Sequence, residues 1–164
     1  MGKRRQAREL TMIILYQADV CRIDPDEAIE LLQEECEVAP EMLPFVRDLV
    51  HGALANLEVI DSLIDKFSDN WTLDRMPAID RNILRMTVQE MLFMPEIPHN
   101  VSINEAIELA NTFSTQDSGR FVNGILDSIY KDNCEGDNGG ADPVPAMGTE
   151  GVKRGRSDKK VTGS

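Results

Sequence analysis

FVRDLVHGALANLEVIDSLIDKF, residues 45–67, decides the fold class. Within it Val46, Val50, Ala53, Leu57, Ile60, Ile64 and Phe67 recur at spacings of 4, 3, 4, 3, 4 and 3. Side chains spaced this way share one side of an α-helix and form an apolar seam against neighbouring helices. A β-strand would need alternation with a period of two, and no such pattern of useful length occurs anywhere in the chain. Gly52 interrupts the seam and marks either a close helix crossing or a break. The same seam would suit a coiled-coil homodimer. Among other amphipathic helices, it more often packs within one chain.

The helical reading extends in both directions. Upstream, residues 7–20 carry Leu10, Ile13, Ile14, Leu15 and Tyr16 and leave little polar face, as in a helix enclosed by a bundle. Its basic first turns are expected to project from the body. Asp24-Pro25-Asp26-Glu27 opens the next helix: Asp24 suits the N-cap, Pro25 the first helical position, and Glu27 the return contact of a capping box. Ala28, Ile29, Leu32 and Cys36 mark its apolar face. Downstream, Met76-Pro77 opens a helix with Ile79, Ile83, Leu84, Val88, Met91 and Leu92 as its inner set, and Pro95 and Pro98 end it. Ser102-Ile103-Asn104-Glu105 reads as a capping box that begins a further helix, lined by Ile103, Ala106, Ile107, Ala110 and Phe113. A polar turn, Ser114 to Gly119, precedes a last helix that buries Val122, Ile125, Leu126 and Ile129. No internal repeat is evident.

Regular apolar spacing stops near Asn133, so residues 1–133 are expected to be the folded domain and residues 134–164 a disordered, Gly-rich tail. Its basic end, Lys153, Arg154, Arg156, Lys159 and Lys160, could touch RNA nonspecifically, though a solvated tail without a role is the simpler reading.

Charge narrows the functions available. The 164 residues hold 17 Lys plus Arg against 29 Asp plus Glu, a net charge of −12. Residues 1–10 hold Lys3, Arg4, Arg5 and Arg8 against Glu9 alone, whereas residues 11–133 are strongly acidic. A basic tip on an acidic body cannot bind a polyanion over its whole surface, so any nucleic-acid contact must be local. The longest apolar run, Met12 to Tyr16, is far short of the roughly 20 residues of a membrane span, and no secretory cleavage site follows the basic start. Cys21, Cys36 and Cys134 form no CxxC, which supports neither a disulfide framework nor a zinc knuckle and leaves a reducing, cytoplasmic setting as the default.

Catalytic chemistry is absent from the pattern. His51 and His99 belong to no metal-binding motif, and His99, between Pro98 and Asn100, reads as a surface loop residue. No phosphate-binding glycine loop or nucleophile elbow occurs. The many carboxylates read as solvated helix faces, and Trp71, beside a helix start, as a core plug. An enzyme is not expected, nor is a cofactor or a metal.

One constellation is more specific. VSINEAIELA (101–110), then Phe113, then DSGRFVNGILD (117–127) resembles the signature of the NusB family of bacterial transcription antitermination factors. RRQAR (4–8) with LYQ (15–17), FVRDLVHGA (45–53) and IDRNILRMTVQEM (79–91) resemble the family's first, third and fourth helices, in the same order. The resemblance covers residues 3–131. It implies an all-α bundle of two packed three-helix subdomains. It also implies binding of boxA RNA together with NusE, a ribosomal protein of the small subunit. This complex acts on the RNA polymerase elongation complex through other Nus factors and promotes readthrough in ribosomal RNA operons. It implies no cofactor and no reaction.

Carried over by motif, the resemblance assigns RNA binding to Arg4, Arg5, Arg8 and Tyr16 of the opening helix. It adds Phe113, Asp117, Arg120 and Phe121 around the turn before the last one. Arginine forks suit phosphates and base edges, and an aromatic ring suits a splayed base. Phe121 could equally be a core residue, and Asp117 a helix cap. Asp80 matches an acidic position at the family's NusE contact; otherwise it is a solvated carboxylate paired with Arg81 or Lys neighbours. Gln6 departs from the basic cluster of some relatives, and the acidic body suggests that RNA affinity leans on the basic partner. Two other classes compete. NusB-like domains also begin certain RNA methyltransferases, but these residues carry no Gly-rich nucleotide loop of a catalytic domain. A helical protein–protein scaffold without RNA binding is the second alternative.

Overall fold

The computed structural model describes residues 2–35, 38–69 and 71–133. Cys36 and the tail 134–164, on which two of the expectations above fall, lie outside the described residues. The described residues form α-helices and no strands: α1 (Lys3–Tyr16), α2 (Pro25–Glu35), α3 (Leu43–Ala55), α4 (Leu57–Phe67), α5 (Ala78–Phe93), α6 (His99–Phe113) and α7 (Ser118–Asn133). α1 continues into a π-helical turn, Gln17–Cys21, and a 3-10 turn, Pro40–Met42, leads into α3. Among the described residues, no helix is long and apolar enough to cross a membrane.

Two groups of helices share one core. α1, α2 and α3 form the first; α4, α6 and α7 surround α5 in the second. α5 belongs to both, because it also packs on α1 and α3. Its Ile83, Leu84, Met86, Val88 and Leu92 are at most 2% exposed. Each contributes roughly 1.5–3 kcal/mol by leaving water. Ala7, Ile14 and Leu15 of α1, Val46, Leu49 and Val50 of α3, and Val122, Leu126 and Ile129 of α7 complete the core.

The seam of residues 46–67 is split, and the structure settles both readings of Gly52. α3 ends at Ala55, and Asn56, with φ −106° and ψ 20°, turns the chain into α4. Asn56 Nδ2 donates to Gln89 Oε1 of α5 at 3.0 Å. Gly52 is the crossing point and not the break: a Cβ there would lie 2.2 Å from Gln89 Nε2. The second helix group therefore holds one more helix than a single long third segment implies.

Three local expectations change. The opening helix begins at Lys3, closer to the N-terminus than residue 7, and its end is π-helical, closed by Arg22 in the left-handed region at φ 61°. The Ser102–Glu105 capping box does not form. α6 already starts at His99, where extended Pro98 sets the entry and its carbonyl accepts from the N–H groups of Val101 and Ser102. Ser102 and Glu105 are drawn to α5 and α1 instead. His99 is not a free loop histidine; its ring stacks on Tyr130 of α7 with centroids 3.7 Å apart. The Asp24 cap does form, its Oδ2 accepting from the Glu27 N–H at 3.1 Å.

Candidate nucleic-acid interface

α1 and α5 run antiparallel, and this pairing sorts the candidate residues into two ends. At one end the first turns of α1 lie beside the start of α6. Arg4, Arg5, Ile97, Pro98, Val101 and Glu105 line a cleft of about 410 Å³ there. Arg4 is exposed, and its guanidinium lies 4.4 Å from the centre of the Phe45 ring. Arg5 donates through Nε and Nη2 to Glu105 at 2.8 and 2.9 Å. That pair holds the Glu105 carboxyl below its ordinary range, chiefly by the Arg5 hydrogen bond. Lys3 pairs with Glu41.

Arg8 corrects the expectation of a projecting basic arm. It is 3% exposed, and its fork closes on Glu90 of α5 at 2.8 and 2.9 Å. The Ser102 hydroxyl donates to the same carboxylate. The cause is geometric: Arg8 stands one turn after Arg4 and one turn before Met12, on the part of α1 that faces α5. The Nε–Nη2 edge of its guanidinium is thus engaged inside the protein, at the floor of the cleft lined by Arg4 and Arg5.

At the other end, the start of α5 meets the turn between α6 and α7. Trp71, Pro77, Asp80, Thr115, Asp117, Ser118 and Phe121 line a slot of about 390 Å³. Trp71 is 45% exposed and tilts against Phe121, ring centroids 6.3 Å apart. It is thus no core plug. Phe121 is half-buried, with one part packed on the core. Phe113 ends α6 and is exposed, as are Asp117 and Arg120. The Asp117 carbonyl accepts the first bond of α7, from the Phe121 N–H, while its carboxyl group forms no hydrogen bond among the described residues. Arg120 occupies the first turn of α7, where the helix dipole disfavours a cation. Helix stability does not account for it.

Asp80 is neither solvated nor paired with Arg81. It is 2% exposed, in the first turn of α5. Its Oδ2 accepts from Ser118 Oγ at 2.9 Å, while Oδ1 is buried without a partner among the described residues. An orphaned buried acceptor costs about 1–3 kcal/mol, so a donor entering the slot would relieve it.

Arg81 turns instead to the π-turn. Asp19 accepts from Arg81, Asn82 and Arg85 at 2.8, 3.0 and 3.2 Å, and Arg85 reaches on to Asp61. Tyr16 is half-buried and immediately precedes this turn. Burial pushes the Asp19 carboxyl upward, but the Asn82 and Arg81 hydrogen bonds and the two guanidinium charges prevail and hold it below its ordinary 3.8. Because the folded value is the lower one, the stabilisation is complete above pH 3.8 and is lost as pH falls through the folded value. Melting temperatures should therefore drop on acidification below about pH 4. Asp19→Asn should lower stability by about 1–3 kcal/mol at neutral pH and flatten that acid limb. An unchanged acid limb in the variant would remove Asp19 from the linkage.

The arginine end and the aromatic end are separated by the rise of α5 from Asp80 to Glu90, about 15 Å. Arg4 and Arg5 sit at the first; Tyr16, Asp80, Asp117 and Phe121 sit toward the second. The signal for the buried members lies in the register of α5. Asp80 and Glu90 occupy the same side as Ile83 and Thr87, where a charged residue requires a partner from elsewhere.

A model of the NusB family matches residues 5–131. The transcription antitermination protein NusB of Desulforamulus reducens is 44% identical over 132 residues, which cover 80% of this chain and 92% of that protein. The protein of the same name from Heliobacterium modesticaldum is 45% identical over 129 residues, 79% of this chain, and the chain spans only 63% of its length. Among solved structures, a crystal structure of antitermination factors NusB and NusE in complex with dsRNA superposes with a TM-score of 0.73 at 29% identity, covering 80% of this chain and 98% of that one.

Proposed function

The chain belongs to the NusB family, and from that premise we propose that it is a non-catalytic transcription antitermination factor. In this reading it binds boxA RNA together with NusE and promotes readthrough in ribosomal RNA operons, reaching RNA polymerase through other Nus factors. The observation that carries the RNA part is the aromatic slot. An acidic protein that exposes Trp71 beside a half-buried Phe121, with Phe113 exposed at the end of α6 and Arg120 without a partner among the described residues, has the parts a splayed base and its phosphate need. Arg4 and Arg5, at the start of α1, carry that surface to its other end, with Tyr16 and Asp117 as further contacts. Arg8 supports them from beneath. The similar complex of NusB and NusE with dsRNA supports the choice of partners. For Asp80, burial restricts the proposed NusE contact to a donor side chain that enters the slot and reaches Oδ1.

The test is titration of a labelled boxA-type single strand at fixed salt, with and without NusE. Binding should be weak alone and tighten with NusE. Asp80→Asn, which keeps the shape and the Ser118 contact, should weaken NusE association roughly tenfold or more, in line with a lost hydrogen bond to a charged group. NusE binding without any RNA binding would favour the helical scaffold reading.

A further inference from the structure

Every cation but one at the start of α1 is matched by a carboxylate. Lys3 has Glu41, Arg5 has Glu105 and Arg8 has Glu90, whereas Arg4 lies over an aromatic ring. These pairs differ in one decisive respect. The Arg8 pair is sealed, with side chains 4% and 1% exposed, whereas Arg5 is 42% and Glu105 20% exposed. A buried pair cannot be exchanged without stranding a charge. An exposed pair is weakly held and can be exchanged.

Glu105 occupies the Nε–Nη2 edge of Arg5, the edge a phosphate would also take with two parallel bonds. It does not act alone. Glu108 and Glu9 also lie close enough to raise the pKa of Arg5, after Glu105 itself. With three carboxylates near one guanidinium, the charge of Arg5 is largely compensated while its partner stays in place. A strand approaching the cleft therefore gains little attraction from Arg5 until that partner is displaced.

We propose that Glu105 is a built-in counter-ion for Arg5, holding the phosphate-binding edge of the guanidinium in the free protein until a phosphate of single-stranded RNA replaces it. This rests on the RNA-binding reading above. The consequence is a protein that rejects weak polyanions and engages Arg5 only when other contacts, from the aromatic slot or a partner, hold the strand nearby. It also predicts a shallow salt dependence, because the ion leaving Arg5 belongs to the protein and not to the solvent.

The experiment uses the full chain with NusE and a labelled boxA-type strand between about 50 and 200 mM salt. Glu105→Gln should tighten binding about two- to fivefold, as expected for freeing an exposed pair, and steepen the salt slope by up to about 0.7. The gain should vanish in an Arg5→Gln background. Glu108→Gln, which removes an equal charge nearby without freeing the edge, should give a smaller gain and no change of slope. Should Glu105→Gln fail to fold, Glu105→Asp, which withdraws the carboxylate by one methylene, should tighten binding in the same direction. Weaker binding by Glu105→Gln would make Glu105 a positioning residue and overturn the proposal. A gain that persists without Arg5 would overturn it too. Parent binding with no gain in the variant overturns the counter-ion alone; binding by neither protein overturns the RNA reading as well.

Discussion

Arg8→Ala should lower the unfolding free energy by about 3–5 kcal/mol, the largest stability loss expected of any polar substitution in this protein. The truncation leaves Glu90, 1% exposed, as a buried carboxylate with only the Ser102 hydroxyl beside it. The lost fork was bidentate at 2.8 and 2.9 Å. For a domain of this size the melting temperature should fall by roughly 10–20 °C. Arg8→Lys should recover only part, because an ammonium offers a point charge where two parallel bonds are needed. Replacing the pair together, Arg8→Met with Glu90→Leu, should cost far less than Arg8→Ala alone, since no charge is then left uncompensated. The measurement is chemical denaturation of the single and double variants as a cycle. An Arg8→Ala variant as stable as the parent would return Arg8 to the surface. The cycle also separates two roles that RNA-binding assays alone would merge, because a destabilised variant binds less for reasons unrelated to phosphate.

Arg8 shows where the sequence was legible and where it was not. Helix identity follows from periodicity, and the 4, 3, 4, 3 seam placed α3 and α4 correctly in the core: Val46, Val50, Ala53, Ile60 and Ile64 are all fully buried. The break at Asn56 was invisible, because the apolar spacing runs through it undisturbed. Asn56 at that break is tied to Gln89, thirty-three residues away, which no local pattern connects to it. The same limit governs the site. A cluster of arginines reads as a basic arm whether its carboxylate partners are present or not, and Glu90 and Glu105 lie 82 and 100 residues from the arginines they bind. Local rules also misfired where tertiary contacts outcompeted them. Ser102 and Glu105 have the spacing of a capping box, yet a buried carboxylate and an exposed guanidinium each offered a charge-assisted bond, about twice as strong as the neutral cap. Trp71 was misread for the opposite reason. Burial is the usual fate of a tryptophan, and only the slot formed with Phe121 explains one that is 45% exposed.

Phe121→Leu should weaken binding of a boxA-type strand by about 1–3 kcal/mol, roughly 5- to 150-fold, in the presence of NusE. Leucine is chosen over alanine because Phe121 also packs on the core, and a branched aliphatic side chain keeps most of that contact while removing the π-face. The loss should leave the salt slope unchanged, since stacking displaces no counter-ion. Arg120→Ala should behave in the opposite way, with a smaller loss of affinity but a slope reduced by about 0.7, the signature of one phosphate contact on a single strand. Trp71→Ala should fall between them in affinity, because its ring forms the wall that tilts against Phe121 at 6.3 Å and restrains it without being fixed itself. The contrast between the two slopes matters more than either affinity. A phosphate contact and a stacked base both weaken binding when removed, but only the first releases ions, so anisotropy titrations across a range of salt assign each residue to its own chemistry. If Phe121→Leu binds as tightly as the parent while remaining folded by circular dichroism, the slot is not where the base lies. The unpartnered Oδ1 of Asp80 must then be satisfied by the protein partner alone.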